Sequence, residues 1–502
     1  MIPVVIKIVM LVVFIALCVG IGLWCRGHAH SVSGFVLGGR SVGPWLSAFA
    51  YGTSYFSAVI FIGYAGQFGW KFGLASTWIG IGNAIIGSLL AWIVLGSRTR
   101  RMTQGLGSQT MPEFFGMRFD SRGLRLASAA IIFVFLVPYT ASVYNGLSRL
   151  FEMAFGLPYE VCIVGMAVVT CIYVVLGGYM ATVVNDAVQG VIMLVTIVAV
   201  VLSILAANGG LASSVTQLAQ ISDASAGVTQ GSLATLFGPD AFGLMTVIVL
   251  TSLGTWGLPQ MVQKFYAIRD DGAVRRGTIL STVFALVVAG GSYFLGGFGR
   301  LYADQVAMGA SGTPVFDSII PTMLSTLPDL LVGLVVVLVL SASMSTLSSL
   351  VLTSSSTLTL DFLAGTCVKN MDERRSLLWM RGLLVVFIAV SAVIALVQYN
   401  SSITFIAQLM GISWGALAGA FLAPFLYGLY WRGATAAGCW ASFVFGVGFT
   451  VANMIWGFAG SSIVAGAIAM LAGLIIVPVV SLLTRKPPVA SIERAFAPFA
   501  RK

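Results

Sequence analysis

Charge is what this sequence has least of. Only 8% of its 502 residues are Asp, Glu, Lys or Arg, against about 25% in a soluble domain. So few charges cannot coat a globule of this size, which excludes water-soluble enzymes and structural proteins. Histidine is nearly missing as well. His28 and His30 flank a loop and leave no basis for a His-ligated metal or a Ser-His-Asp triad. The six cysteines (Cys18, Cys25, Cys162, Cys171, Cys367, Cys439) stand singly, with no CxxC, and read as small core residues. Neither enzyme activity nor a cofactor is expected. The net charge of +10 would suggest nucleic acid in a soluble protein; here the membrane accounts for it, and no nucleic-acid partner is expected.

What is there is apolar: 58% of residues are hydrophobic and the mean hydropathy is +1.00. The apolar residues fall into blocks of about 20, the length of a helix crossing roughly 30 Å of hydrocarbon, rather than the roughly 10-residue alternating strands of a barrel. The fold class is therefore all-α integral membrane. The opening stretch 2–25 is too long for a signal peptide, lacks a basic start and ends in Trp24-Cys25-Arg26 rather than a small-residue cleavage site. It reads as a retained span.

Blocks and breaks give about 13 spans: 2–25, 43–71, 74–98, 125–151, 159–178, 181–206, 241–266, 275–299, 328–362, 377–397, 401–428, 434–456 and 461–484. With the N-terminus outside, all but four of the 26 basic residues (Lys7, Lys71, Arg149, Arg300) fall in cytoplasmic loops or the tail, Lys264 and Lys369 among them. That segregation supports the count, an outside N-terminus and a cytoplasmic C-terminus in a cell (inner) membrane. Two outer connections, 207–240 and 301–327, are rich in Ser, Gly, Ala and Thr. The tail 485–502 is too short for a signalling domain, so 1–502 is read as one membrane domain, its oligomeric state open.

Two spans are interrupted by helix breakers. The second carries Gly52-Thr53-Ser54-Tyr55-Phe56-Ser57-Ala58, the seventh Thr251-Ser252-Leu-Gly254-Thr255-Trp256-Gly257-Leu-Pro259-Gln260. Unwinding there frees backbone groups, tolerable in a membrane only where the chain is buried in protein or lines a cavity, so such breaks point to ion or solute coordination. A plain kink or a small-residue packing face is the competing explanation. Five spans separate the pair, as in inverted five-helix repeats (43–206 and 241–428), each opened by a broken helix. Span 1–25 and spans within 434–484 are additional.

The ninth span contains Ser341-Ala342-Ser343-Met344-Ser345-Thr346-Leu347-Ser348-Ser349. Alone, such a run is more often interhelical glue. Opposite a broken helix it offers a hard cation the hydroxyls of Ser345 and Thr346 and the carbonyl of Ala342, with carbonyls near Thr53 and Phe56 completing the set. Asp186 reads two ways: a carboxylate within a span normally faces a cavity or a partner, yet near the start of span six it also suits a helix cap.

With these residues in view, the chain resembles the sodium:solute symporter family over essentially its whole length. The matches are Leu37-Gly-Gly-Arg40-Ser-Val-Gly-Pro44, Arg149-Leu-Phe-Glu152, Gly177-Gly-Tyr-Met-Ala-Thr-Val-Val-Asn-Asp186-Ala-Val-Gln189 and Met344-Ser-Thr-Leu-Ser348. The resemblance implies a leucine-transporter-type fold of inverted repeats and alternating access driven by sodium. It also implies an ion site of backbone at Thr53, Phe56 and Ala342 with the hydroxyls of Ser345 and Thr346, and Ser57 and Asp186 on the ion path. Sodium is then a co-transported ligand.

The patterns are most similar to the bacterial sodium/proline and sodium/pantothenate branches. The proline branch carries an aspartate where this chain has Tyr55 and aromatics where it has Thr251 and Thr255, which weakens a proline assignment; a pantothenate-, amino-acid- or other monocarboxylate-like solute is expected instead. Candidate solute contacts are Tyr55, Tyr139, Thr251, Thr255, Trp256 and Gln408, for each of which helix packing is an alternative. A channel and a non-transporting solute sensor are the competing readings.

Overall fold

The computed structural model describes residues 2–309, 312–368, 371–401 and 406–500. Lys369, Arg501, Lys502 and the start of the expected span 401–428 (402–405) lie outside the described residues. The described residues form helices and contain no β-strand.

Among the described residues, ten helices are long and apolar enough to cross a membrane, or eleven when the bent pair Ala241–Gly257 and Pro259–Tyr266 is taken as one span. The difference from about 13 lies in two runs, Val59–Leu106 and Tyr159–Ala207, of 48 and 49 residues. At about 1.5 Å per residue each is roughly 70 Å long, more than twice the hydrocarbon thickness. Each contains a glycine with a positive φ, Gly73 (φ 60°, ψ −137°) and Gly178 (φ 56°, ψ −146°), close to where the sequence suggested a boundary. The expected number is reached only if each run is read as two crossings.

The helix Asp329–Thr357 lies at the centre. Every residue from Val335 to Thr357 is buried, as befits a helix surrounded by others rather than one presenting a single face. It packs against Tyr159–Ala207, Arg122–Phe155, Ile2–Cys25 and Pro44–Tyr55. Peripheral helices expose apolar side chains such as Val12, Val195, Val444 and Leu482, the surface a lipid-facing helix presents.

Both expected breaks are present, each with a local cause. Pro259 lacks an N–H and disfavours helical geometry in the residue before it; Leu258 is accordingly extended (φ −77°, ψ 123°), and the halves meet at 46°. The other helix, Pro44–Tyr55, ends where Phe56 turns extended (φ −85°, ψ 112°). The chain restarts at Ser57, whose carbonyl accepts from the N–H groups of Ile60 and Phe61.

Beside the breaks, Asp271–Gly296 meets Ala65–Phe72 and Thr77–Gly82 through glycines. A Cβ at Gly69 would lie 2.0 Å from the Gly296 carbonyl, and one at Gly80 2.5 Å from Gly290 Cα, so these helices touch backbone to backbone. The connection 207–240 includes the helix Leu211–Gln220. It is tied down by Arg300, which donates to the Trp70 carbonyl (2.8 Å) and to Asp223 (3.0 Å). In the tail, Val489–Phe496 is helical, its Phe496 ring 5.1 Å from the buried Arg118 guanidinium. One sequence expectation is corrected here: Lys264 does not sit in a solvated loop but is 2% exposed, because Pro259–Tyr266 continues the span beyond its bend and is buried throughout.

Candidate functional site

The first break and the central helix meet oxygen to oxygen. Ser345 Oγ lies 3.1 Å from the Thr53 carbonyl and 3.1 Å from the Ala342 carbonyl, so three of the expected ligands share one point. Thr346 Oγ1 approaches the neighbouring Ser54 carbonyl at 3.5 Å. Phe56, the extended residue of the break, is buried, as is Ser57, whose Oγ has no hydrogen-bond partner among the described residues. Oxygens of this kind suit a hard monovalent cation; no group of His, Cys, Asp and Glu suited to a transition metal occurs among the described residues.

One turn further along the central helix a second polar chain begins. Ser349 Oγ is 2.8 Å from Ser54 Oγ and accepts a bond from Lys264 Nζ (2.9 Å). The same ammonium lies 3.6 Å from Asp186 Oδ2. Asp186 is fully buried, and among the described residues its carboxylate has no polar partner other than this ammonium. The helix-cap alternative for Asp186 therefore does not hold, since the helix runs unbroken from the Gly178 kink past this residue and leaves no free N–H for it to cap. Its partner is Lys264.

The six expected solute residues divide. Tyr55 donates to the Thr251 carbonyl (3.0 Å), joining the two broken helices, and its ring lies 6.2 Å from that of Trp414. Tyr139 packs edge-on to Trp414 at 5.9 Å, its hydroxyl beside Ser57 and the indole nitrogen. Beyond one another, those three polar groups have no hydrogen-bond partner among the described residues. Thr251 Oγ1 donates to Asn83 Oδ1 (2.9 Å). Thr255 and Trp256 donate to the carbonyls of Gly87 and Ile86. Gln408 is not brought to this cluster: it is exposed, its carbonyl accepting from Ser462.

Sequence reasoning missed Asn83, Lys264 and Trp414. Each left a signal. Asn83 is the lone amide in 74–98, Lys264 lies within the bounds 241–266, and Trp414 sits between small residues in Gly411-Ile-Ser-Trp-Gly415.

The chain's resemblances agree with this geometry. The family model described as "Sodium:solute symporter family" matches residues 35–446. The osmoregulated proline transporter OpuE of Bacillus subtilis is 28% identical over 95% of this chain and 94% of its own length. A sodium/proline symporter of Staphylococcus aureus is 28% identical over 95% and 93%. Sodium/proline symporter 2 of Staphylococcus saprophyticus is 27% identical over 89% and 86%. Among solved structures, a Na+-coupled sialic acid symporter in a substrate-bound outward-open state superposes with a TM-score of 0.78 at 16% identity, covering 96% of this chain and 98% of that one. The nucleobase-cation-symport-1 family transporter Mhp1 does so at 0.51 and 16% identity, covering 92% and 97%. The fold is of the leucine-transporter type. The chain thus belongs to the sodium:solute symporter family, a multi-pass membrane protein that transports a small solute coupled to sodium.

Proposed function

We propose that sodium binds between the carbonyls of Thr53, Phe56 and Ala342 and the hydroxyls of Ser345 and Thr346, with Ser57 and Asp186 along its route. The observation that carries this is the single hydroxyl of Ser345 lying 3.1 Å from carbonyls on two different helices. An ion there lends the helix 44–55 and the central helix a shared ligand, and so favours the arrangement in which the solute cavity is complete. That differential contact is what a ligand needs in order to shift a conformational equilibrium.

The solute is a small polar molecule, amino-acid-, pantothenate- or other monocarboxylate-like, held by Tyr55, Tyr139, Thr251, Thr255 and Trp256. Gln408 joins them only if its helix moves inward. No basic residue stands among these side chains, so a carboxylate is held by hydroxyls and by N–H groups exposed at the breaks. A proline assignment has one observation in its favour, the printed names of the curated relatives; Tyr55, Thr251 and Thr255 stand against it.

The two repeats span 43–206 and 241–428 and exchange outward- and inward-facing states. The N-terminus lies outside and the C-terminus in the cytoplasm of a cell membrane. A panel of labelled solutes offered to proteoliposomes, with and without an inward sodium gradient, tests class, ion and substrate together. Uptake that is equal in sodium-free buffer under a proton gradient overturns the sodium reading, and binding without counterflow indicates a sensor.

A further inference from the structure

The sodium route needs oxygens, yet the chain places an ammonium beside it. Buried charge in a membrane is costly and is retained with a partner. Asp186, 0% exposed, has Lys264 Nζ at 3.6 Å. Among the described residues neither oxygen of Asp186 has a polar partner other than that ammonium, so one cation held at the long end of hydrogen-bond distance is all the carboxylate has. The carboxylate is therefore a cation site with a loosely seated occupant.

The surroundings of Nζ are those of a small cation. Ser349 Oγ is 2.9 Å away, and that hydroxyl lies 2.8 Å from Ser54 Oγ and 3.0 Å from the Ser345 carbonyl, on the same two helices that supply the sodium oxygens. Beside it is a small cavity of about 10 Å³ lined by Tyr179, Thr182, Gln260, Gln263, Leu352 and Thr353 among others, enough for about one water. Both polar atoms of the Gln260 side chain are buried without a hydrogen-bond partner among the described residues. Lys264 itself rides on Pro259–Tyr266, the short arm of the helix jointed at Leu258.

We propose that Lys264 is a tethered cation standing in the place of a second sodium ion at Asp186, so that the chain binds one sodium and exposes a second sodium site only when the lysine charge is removed. The proposal rests on the sodium reading above and deepens it. An ammonium delivered by a jointed arm fills the carboxylate without being drawn from solution, and it repels a second ion from the inner end of the route.

The test is a count of radioactive sodium bound at saturation by the purified full chain. Wild type is expected to bind one ion per chain, Lys264→Met two, and the neutral pair Lys264→Met with Asp186→Asn one again. Two ions in wild type overturn the proposal without any variant, which covers the case in which Lys264→Met does not survive purification. A folded Lys264→Met chain that binds one ion also overturns it, leaving the sodium reading intact. Wild type binding none overturns the sodium reading and this one with it. As an independent readout, the melting temperature of Lys264→Met should rise with sodium more steeply than that of wild type; equal slopes count against the proposal.

Discussion

The hydroxyls of Ser54 and Ser349 lie 2.8 Å apart, joining the broken helix to the central one, a turn away from the oxygens grouped round Ser345. The polar seam between these two helices thus has two layers, one of carbonyls and hydroxyls fit for an ion and one of hydroxyls that leads to a charged pair. The first layer makes the sharpest prediction. Ser345→Ala removes an oxygen shared by two helices and should raise half-saturating sodium by roughly five- to 150-fold, the equivalent of about 1–3 kcal/mol. Thr346→Ala, whose hydroxyl is already 3.5 Å from its carbonyl, should do less. Sodium titrations of initial uptake decide it; wild-type curves for both variants make this stripe mere packing.

Asp186→Asn leaves the Lys264 ammonium buried without a counter-charge and should destabilise the protein by about 3–5 kcal/mol, much of it recovered when Lys264→Met is added. Melting in detergent shows the effect. Asparagine caps helices about as well as aspartate, so a silent substitution would contradict the pairing described here.

Asn83 Oδ1 accepts from Thr251 (2.9 Å) and Ser252 (3.1 Å). Asn83→Ala should cost about 1–3 kcal/mol through the acceptor lost to two buried hydroxyls. It should also raise the half-saturating solute concentration while leaving that of sodium near wild type. A parallel rise in both would place Asn83 in general packing rather than in the solute cavity.

Gly178→Ala puts a Cβ at positive φ and 2.8 Å from the Phe35 ring, whereas Gly165→Ala meets nothing within 4 Å. The first should lower stability by about 1–3 kcal/mol and the second should raise it by about 0.5–1 kcal/mol. Thermal unfolding of the two single variants, side by side, checks both signs.

The breaks were legible because their causes are local: Pro259 forces Leu258 out of the helix whatever surrounds it, and the glycines and hydroxyls near Thr53 are read directly from the chain. Ser345 and Ala342 were legible once a broken helix was placed opposite them. Lys264 was not, since assigning basic residues to cytoplasmic loops presumes that each one reaches water, and only the fold brings this one to Asp186. Trp414 and Asn83 become visible for the same reason, as neither has a partner within its own helix. Gln408 shows the reverse: an amide in an apolar span looks like a ligand, yet its side chain is exposed. The two long runs join spans that hydropathy had separated: at Gly73 and Gly178 the backbone leaves helical geometry for one residue, so each run is two helices meeting at a kink, close to the gap that a count of apolar residues finds.

The glycine contacts of Gly69 with Gly296 and of Gly80 with Gly290 carry a mechanical consequence. Helices that touch through side chains can absorb a small tilt by changing rotamers. A backbone-to-backbone seam has no such compliant layer, so a rotation of one helix is passed to the other almost without loss. The 26 residues of Asp271–Gly296 make a rod about 39 Å long. One end follows the Lys264 arm, and the other runs into the Arg300 strap that holds the connection 207–240. Through this rod, a few degrees of swing at the Leu258 joint would become ångströms of travel at the Arg300 end.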